Sequence, residues 1–177
     1  MNFPDYLKSN LVLINYRVNK SIAQADLQCK CGCLNFEVLY PGSTINIDGR
    51  VYPYSYETDT DSFFLIKVKC VECQSEYLIF DEDFHGWDGF YCHDLRHAAL
   101  ARPKLTPWTC LSCGQIPHKV SIKLDHTDRK EYEEMQYSKK RPFIENEWLL
   151  SFEWIWIGIT CSNCNLSTPD WSDYETA

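Results

Sequence analysis

The chain has 177 residues, of which 45% are hydrophobic and 15% aromatic, a composition that disfavours intrinsic disorder. No stretch approaches the roughly 20 consecutive apolar residues that a membrane-spanning helix needs. The formal net charge of −8 disfavours a protein that depends on nucleic-acid phosphates, because such binding requires a surplus of lysine and arginine. The remaining class is a globular chain, long enough for one ordinary domain or two small ones.

Residues 1–26 contain only one short apolar run, at 11–14, which polar and charged residues flank. That run is too short for the apolar part of a secretory signal peptide. We therefore expect a soluble, cytoplasmic protein in which residues 1–26 form a capping segment. In a reducing cytoplasm, clustered cysteines serve as metal ligands more often than as disulfides.

Eight of the ten cysteines fall into four pairs along the chain. Three Cys-x-x-Cys pairs recur, at Cys70/Cys73, Cys110/Cys113 and Cys161/Cys164. Two intervening residues allow a tight turn, here called a knuckle, to direct both sulfurs at one metal ion about 2.3 Å away. The N–H groups of the knuckle can then donate to the sulfurs. Together with a fourth pair near residue 30, these spacings predict two four-thiolate metal sites.

The fourth pair belongs to a group of three cysteines at alternate positions, Cys29, Cys31 and Cys33. A glycine follows the second cysteine in both CKCG and CLSCG, and glycine adopts the positive φ that a knuckle requires. This similarity favours Cys29 and Cys31 as the ligands. Cys33 would then lie on the face, away from the metal, of the strand that leaves this knuckle. A knuckle in which Cys33 replaces Cys29 is the alternative.

Between the knuckles, β-branched and aromatic residues predict strands at 35–40, 63–69, 76–80, 120–124 and 148–160. The segment KVSIKL alternates apolar and polar residues, as a half-buried strand does. Both halves have the order knuckle, strand, insertion, strand, knuckle. Cys161 and Cys164 follow Cys70 and Cys73 at the same offset of 91 residues, which indicates an internal duplication.

Paired cysteines at the ends of strands resemble the zinc-ribbon family, here in tandem. The arrangement CxCG…CxxC…F-D…G-W-D is similar to that of uncharacterised bacterial proteins with two ribbons. The resemblance implies a mainly β, small α+β fold with ribbon-like units at 27–90 and 105–177, and two structural Zn²⁺ ions. The predicted ligands are Cys29, Cys31, Cys70 and Cys73 at one site and Cys110, Cys113, Cys161 and Cys164 at the other. Four thiolates also suit iron of the rubredoxin kind.

Two segments have helical character. Residues 91–104 are predicted to form a short helix that Pro103 ends and that links the two units. Residues 125–140 are dense in charge and carry a capping-box pattern from Asp128 to Glu131. We predict that this second segment is a charged insertion in unit two.

A further group of reactive side chains comprises His85, Cys92, His93 and His97. His93 and His97 are one helical turn apart, as in a two-histidine metal face, but no glutamate lies between them as in HExxH. No orienting residue or oxyanion hole is evident for a Cys–His hydrolase. We interpret His93 and His97 as surface histidines beside the spare thiol of Cys92, and keep a metal-dependent enzyme that uses His93 and His97 as the lesser hypothesis.

Acidic residues and a tryptophan follow the second knuckle of each half. The two groups are Asp83, Trp87 and Asp88, then Asp170, Trp171, Asp173 and Glu175. Carboxylates beside aromatic rings suit the binding of a basic partner. In the alternative interpretation, each indole covers a metal site and the carboxylates are solvated. The large apolar area of tryptophan favours this alternative, because burial of the indole removes that area from water.

We predict a non-enzymatic zinc-binding protein that acts by protein–protein recognition. A basic partner is favoured because two four-thiolate zinc sites add further negative charge. One specific hypothesis is an immunity protein that inhibits a basic toxin, a role held by other compact acidic proteins. The alternative is a nucleic-acid-binding ribbon of the transcription-related kind.

Overall fold

The computed structural model describes residues 3–57, 62–86 and 104–176. The fold is mainly β with a few short helices, which confirms the predicted class. Several predictions lie outside the described residues. They concern the linker helix apart from its last residue, and the side chains of Trp87, Asp88, Cys92, His93 and His97.

Nine of the described strands form one sheet. They are β1 (Leu11–Asn19), β2 (Ile22–Cys29), β3 (Phe36–Tyr40), β8 (Leu65–Cys70), β9 (Glu76–Asp81), β10 (Thr106–Pro107), β11 (Pro117–His126), β12 (Phe152–Cys161) and β13 (Ser167–Glu175). Two small hairpins accompany the sheet. They pair β4 (Thr44–Ile47) with β5 (Arg50–Pro53), and β6 (Tyr56–Glu57) with β7 (Ser62–Phe63).

Strand β11 is the central strand of the sheet. It pairs along its length with β12 on one edge, and on its other edge with β2 and with the start of β3. The predicted alternation is present, since Val120, Ile122 and Leu124 are buried while the residues between them are less so. Strands from both predicted units therefore lie in one sheet, with β8 and β9 continuing it beyond β3 and β13 beyond β12.

A single large cluster of buried side chains draws on both predicted units. It includes Phe36 and Val68 from the first, and Ile122 and Ile157 from the second. The capping segment contributes as well, because Leu7 of helix α1 (Asp5–Asn10) is fully buried in the same cluster. Burial of apolar area from both halves holds the cysteine-bearing ends of β8 and β12 in a fixed relation near the start of β11.

The charged insertion contains helix α2 (Arg129–Ser138). Asp128 caps it as the sequence predicts, with its side chain accepting from the N–H groups of Lys130 and Glu131 at 2.9 and 3.1 Å. A carboxylate at this position also interacts favourably with the helix dipole. None of the described helices is long and apolar enough to cross a membrane.

The predicted strand at 148–160 begins later than expected. Residues Glu145–Leu150 form helix α3, and strand β12 starts at Phe152. Tertiary packing explains the difference, because Trp148 and Leu149 are buried against Tyr132 of α2. The Trp148 indole also donates to the Thr127 carbonyl at 2.8 Å. This second, smaller cluster outweighs the strand preference of the local sequence.

Candidate metal centres

The structure brings eight cysteines together in two clusters of four. In the first, Cys29 ends β2 and Cys70 ends β8, and the knuckles that follow these strands add Cys31 and Cys73. All four sulfurs lie within 4.8 Å of one another. The Sγ–Sγ distances are 3.4 Å between Cys29 and Cys73 and 3.6 Å between Cys31 and Cys70.

The second cluster repeats this arrangement. Both clusters lie near the start of β11, where His118 pairs with Cys161 on one side and with Phe36, the partner of Cys70, on the other. Cys161 ends β12, Cys110 precedes β11, and their knuckles supply Cys164 and Cys113. The sulfurs again lie within 4.8 Å of one another, with 3.6 Å from Cys110 to Cys164 and from Cys113 to Cys161. Four thiolates about 2.3 Å from a tetrahedral Zn²⁺ are about 3.8 Å apart, so each cluster has the dimensions to hold one ion.

All four knuckles share two backbone features. The residue after the second cysteine has positive φ, and its N–H donates to the carbonyl of the first cysteine at 2.8 to 3.0 Å. These residues are Gly32 (φ 94°), Gln74 (φ 62°), Gly114 (φ 70°) and Asn165 (φ 59°). The prediction of positive φ at both glycines is therefore confirmed. Gln74 and Asn165 adopt the same conformation without the freedom of glycine, which indicates how strongly the turn is imposed.

Backbone N–H groups donate to a sulfur in each knuckle, as predicted. The donor lies two residues after the second cysteine, and the pairs are Cys33 to Cys31, Ser75 to Cys73, Gln115 to Cys113 and Leu166 to Cys164. Hydrogen bonds from the Ser75 hydroxyl and N–H lower the pKa of Cys73 to about 6. The Gln115 N–H lowers the pKa of Cys113 to about 6. Each cluster thus contains one thiol that ionises readily, and a bound cation would stabilise further thiolates.

The first knuckle is one residue shorter than the other three, and this resolves the role of Cys33. The Cys29 N–H donates to the Cys33 carbonyl, whereas the Cys70 N–H donates to Ser75, one position further along. Cys33 therefore occupies the position of Ser75. Its sulfur lies outside the cluster and accepts instead from the Asn35 N–H at 3.3 Å. The structure supports Cys29 with Cys31, and not Cys31 with Cys33.

Replacing Cys33 by serine is expected to leave the metal content at two ions per chain, because the cluster keeps all four sulfurs. Replacing Cys31 by serine should remove one ion. Native mass spectrometry of the two variants checks this. Loss of an ion from the Cys33→Ser chain, with both ions retained in Cys31→Ser, would contradict the assignment.

The first cluster has hydroxyl groups that were not predicted as part of a site. The Tyr77 hydroxyl lies 3.1 Å from Cys29 Sγ, and the Ser75 hydroxyl lies 3.4 Å from Cys73 Sγ. At the equivalent positions of the second half are Thr168 and Leu166. The only sequence signal for Tyr77 is its position in the strand that leaves the Cys73 knuckle. Donors of this kind offset thiolate charge and orient the ligands.

The predicted acidic and aromatic groups differ in their exposure. Trp171 is 1% exposed, and its ring packs edge-on against Trp108 with centroids 5.2 Å apart. It is packed in the core, so the indole is not the exposed binding group that was predicted, which is a correction to the predicted binding face. Asp170, Asp173 and Glu175 are exposed and Asp83 is half-buried. These carboxylates stay candidates for partner binding.

His85 is buried and is not part of a surface cluster. Its Nδ1 accepts from the Asp81 N–H at 3.1 Å, and its ring stacks on Tyr6 with centroids 4.1 Å apart. Burial lowers the pKa of His85 from 6.5 to about 4. We interpret His85 as a neutral core residue that closes the turn after β9.

The pKa of His85 predicts a loss of stability in mild acid. Below its ordinary pKa of 6.5, the unfolded chain takes up a proton that the folded chain does not bind until about pH 4. The stabilisation from neutral His85 is thus present above pH 6.5 and falls as the pH drops, by about 1 kcal/mol near pH 5.5. His85→Asn keeps an acceptor for Asp81 and does not titrate.

Urea unfolding of both chains in excess zinc, over this pH range, tests the prediction. The difference between them isolates His85, because protonation of the cysteines affects both chains equally. Parallel pH profiles would contradict the assignment.

Among the described residues, the two cysteine clusters are the groups of side chains arranged to hold a metal ion. Comparison of the chain with protein-family models, with curated proteins and with solved structures finds no match. The resemblance to zinc ribbons therefore stands on the cysteine geometry. What the chain demonstrably contains is a tandem pair of four-cysteine clusters, each able to hold one ion.

Proposed function

We propose that the chain is a non-enzymatic, zinc-binding protein that recognises a basic protein partner. The observation that carries the proposal is the geometry of the clusters, in which four sulfurs lie within 4.8 Å of one another. Four protein thiolates complete the tetrahedron of Zn²⁺ and leave no coordination position for water or substrate. An ion held in this way stabilises a fold and does not activate a nucleophile.

The charge of the chain favours a basic partner. Two Zn²⁺ ions with eight thiolates lower the formal net charge from −8 to about −12. Such a charge repels nucleic-acid phosphates and attracts surfaces rich in lysine and arginine. Exposed carboxylates at Asp170 and Asp173 lie on the same cavity as Cys110, close to the second cluster.

Binding of the metal-loaded full chain to immobilised probes tests the proposal. We expect saturable binding to basic proteins, weakened by salt, and no retention by single-stranded oligonucleotides even at low salt. Retention of oligonucleotides at low salt would instead favour the nucleic-acid-binding alternative. Matched acidic proteins serve as the control for non-specific adsorption.

A narrower form of the proposal is that the partner is a basic toxin. If the chain is an immunity protein, an equimolar amount should block cleavage by a nuclease toxin encoded beside it. Undiminished cleavage would contradict this form while leaving other basic partners open.

Metal analysis separates the proposal from the enzyme hypothesis. Catalysis that uses His93 and His97 requires a third ion, or one that is loosely held, in addition to the two in the cysteine clusters. We expect two ions per chain, both retained on dialysis.

A further inference from the structure

A groove of about 870 Å³ lies between the β4–β5 hairpin and strand β13, next to the second cysteine cluster. Its deeper wall is formed by buried side chains, Trp108, Trp171 and Ile159, and by Cys110 of the cluster. A partner in this groove would therefore contact a surface that the second metal centre holds in place. The volume is within the range of sites that bind ligands or short peptide segments.

Exposed apolar side chains are concentrated around this groove. Of the ten large hydrophobic residues that are exposed in the described part of the chain, five line it. They are Ile45 and Ile47 on the hairpin, Tyr54 after it, and Leu111 and Leu166 on the knuckles. Leu111 is 63% exposed and Leu166 45%. Clustered exposed apolar residues mark interaction surfaces more often than scattered ones do.

The first cluster shows that a knuckle does not need these leucines. Lys30 occupies the position of Leu111, directly after the first cysteine, and Ser75 occupies the position of Leu166. Both are exposed, and both knuckles close with backbone hydrogen bonds equivalent to those of their counterparts, although the first is one residue shorter. Since the fold of the knuckle tolerates a lysine and a serine there, the two leucines of the second cluster require another explanation. Contact with a partner is one that accounts for their exposure.

The charge of the groove indicates what kind of partner it fits. Asp170 and Asp173 line it from β13, both are exposed, and neither forms an ion pair with a described residue. Arg50 is the one cationic residue among the described lining. A bound segment with a lysine or arginine beside its apolar side chains would pair with these carboxylates. A second copy of this chain is disfavoured, because two strongly acidic molecules repel each other.

We propose that this groove binds a segment of a partner protein that carries large apolar side chains next to a lysine or arginine. This inference rests on the proposed function of protein recognition, and it assigns that function to one surface. The apolar side chains contact Leu111, Leu166 and the hairpin, and the basic side chain lies against Asp170 and Asp173.

Selection from a phage-displayed library of random peptides, with the metal-loaded full chain as bait, tests the assignment. We expect the selected peptides to combine Leu, Ile, Phe or Trp with Lys or Arg. The double variant Leu111→Lys/Leu166→Ser introduces the residues of the first cluster, so it should keep both metal ions. It should weaken binding of a selected peptide by about tenfold to a hundredfold. Loss of one leucine contact weakens binding by more than about tenfold only where that contact is central to the interface.

Two further variants provide the controls. Asp170→Asn/Asp173→Asn should remove the preference for basic over neutral peptides while apolar selection persists. Val12→Ser/Val18→Ser removes a comparable exposed apolar area on β1, outside the groove, and should leave peptide binding unchanged.

Several outcomes would overturn the assignment. These are a library that yields no basic and apolar consensus, a leucine double variant that binds as wild type does, or a dimer of the chain that the same variant dissociates. If the variant still binds the basic proteins that wild type binds, the groove assignment fails and the proposed function stands. If wild type binds no basic protein at all, the proposed function fails as well.

Discussion

Replacing Cys70 or Cys161 by serine is expected to remove one metal ion per chain and to unfold much of the structure. Both residues are buried, at 0% and 1% exposure, and each ends a strand of the large sheet. Binding of a structural Zn²⁺ contributes about 10 to 16 kcal/mol in small zinc domains. That exceeds or equals the total stability of most domains, about 5 to 15 kcal/mol. Because both halves share one core, we expect the loss of one ion to unfold it.

Native mass spectrometry and circular dichroism of the two variants measure this effect. Cys33→Ser is the matched control, because it makes the same chemical change at a cysteine outside the clusters. A Cys70→Ser chain that retains two ions and the circular dichroism of wild type would contradict the prediction.

Replacing Trp171 by alanine should cost about 3 to 5 kcal/mol of unfolding free energy. The indole is 1% exposed and contacts two other rings, with centroids 5.2 Å from Trp108 and 6.4 Å from Tyr40. Its removal opens a cavity at the point where β13 meets the first half of the chain. If Trp171 were instead a surface contact for a partner, its replacement would change binding and leave stability nearly intact.

Urea unfolding in excess zinc gives the free energy directly. Tyr137→Ala serves as the control, because Tyr137 is 86% exposed and its loss should change stability by no more than about 0.5 kcal/mol. Equal midpoints for Trp171→Ala and Tyr137→Ala would show that Trp171 is not a core residue.

The clusters were predictable because the information is local. A knuckle needs two cysteines a fixed distance apart and a residue that accepts positive φ, and three Cys-x-x-Cys pairs supply the first condition. The strand at 120–124 was equally clear from its alternation. The pair Cys29 and Cys31 was less certain because three cysteines alternate there, and the hydrogen bond from the Cys29 N–H to the Cys33 carbonyl shows which two belong to the knuckle.

Long-range pairing was not predictable from these signals. Strand β11 contacts β2 and β3, which precede it by some 80 to 100 residues, and nothing in either segment specifies the partner. The sequence around Trp148 likewise favours a strand, but Trp148 lies in a helix because its side chain packs on Tyr132. The groove beside the second cluster depends on the same pairing, so Ile45, Leu111 and Leu166 could not be grouped before the fold was known.

The number of metal ions bound by the purified chain tests the central claim most directly. Native mass spectrometry should show the polypeptide with two Zn²⁺, and removal of both by a chelator should abolish the β-sheet signal in circular dichroism. A chain that carries no metal, and whose circular dichroism a chelator leaves unchanged, would contradict the account.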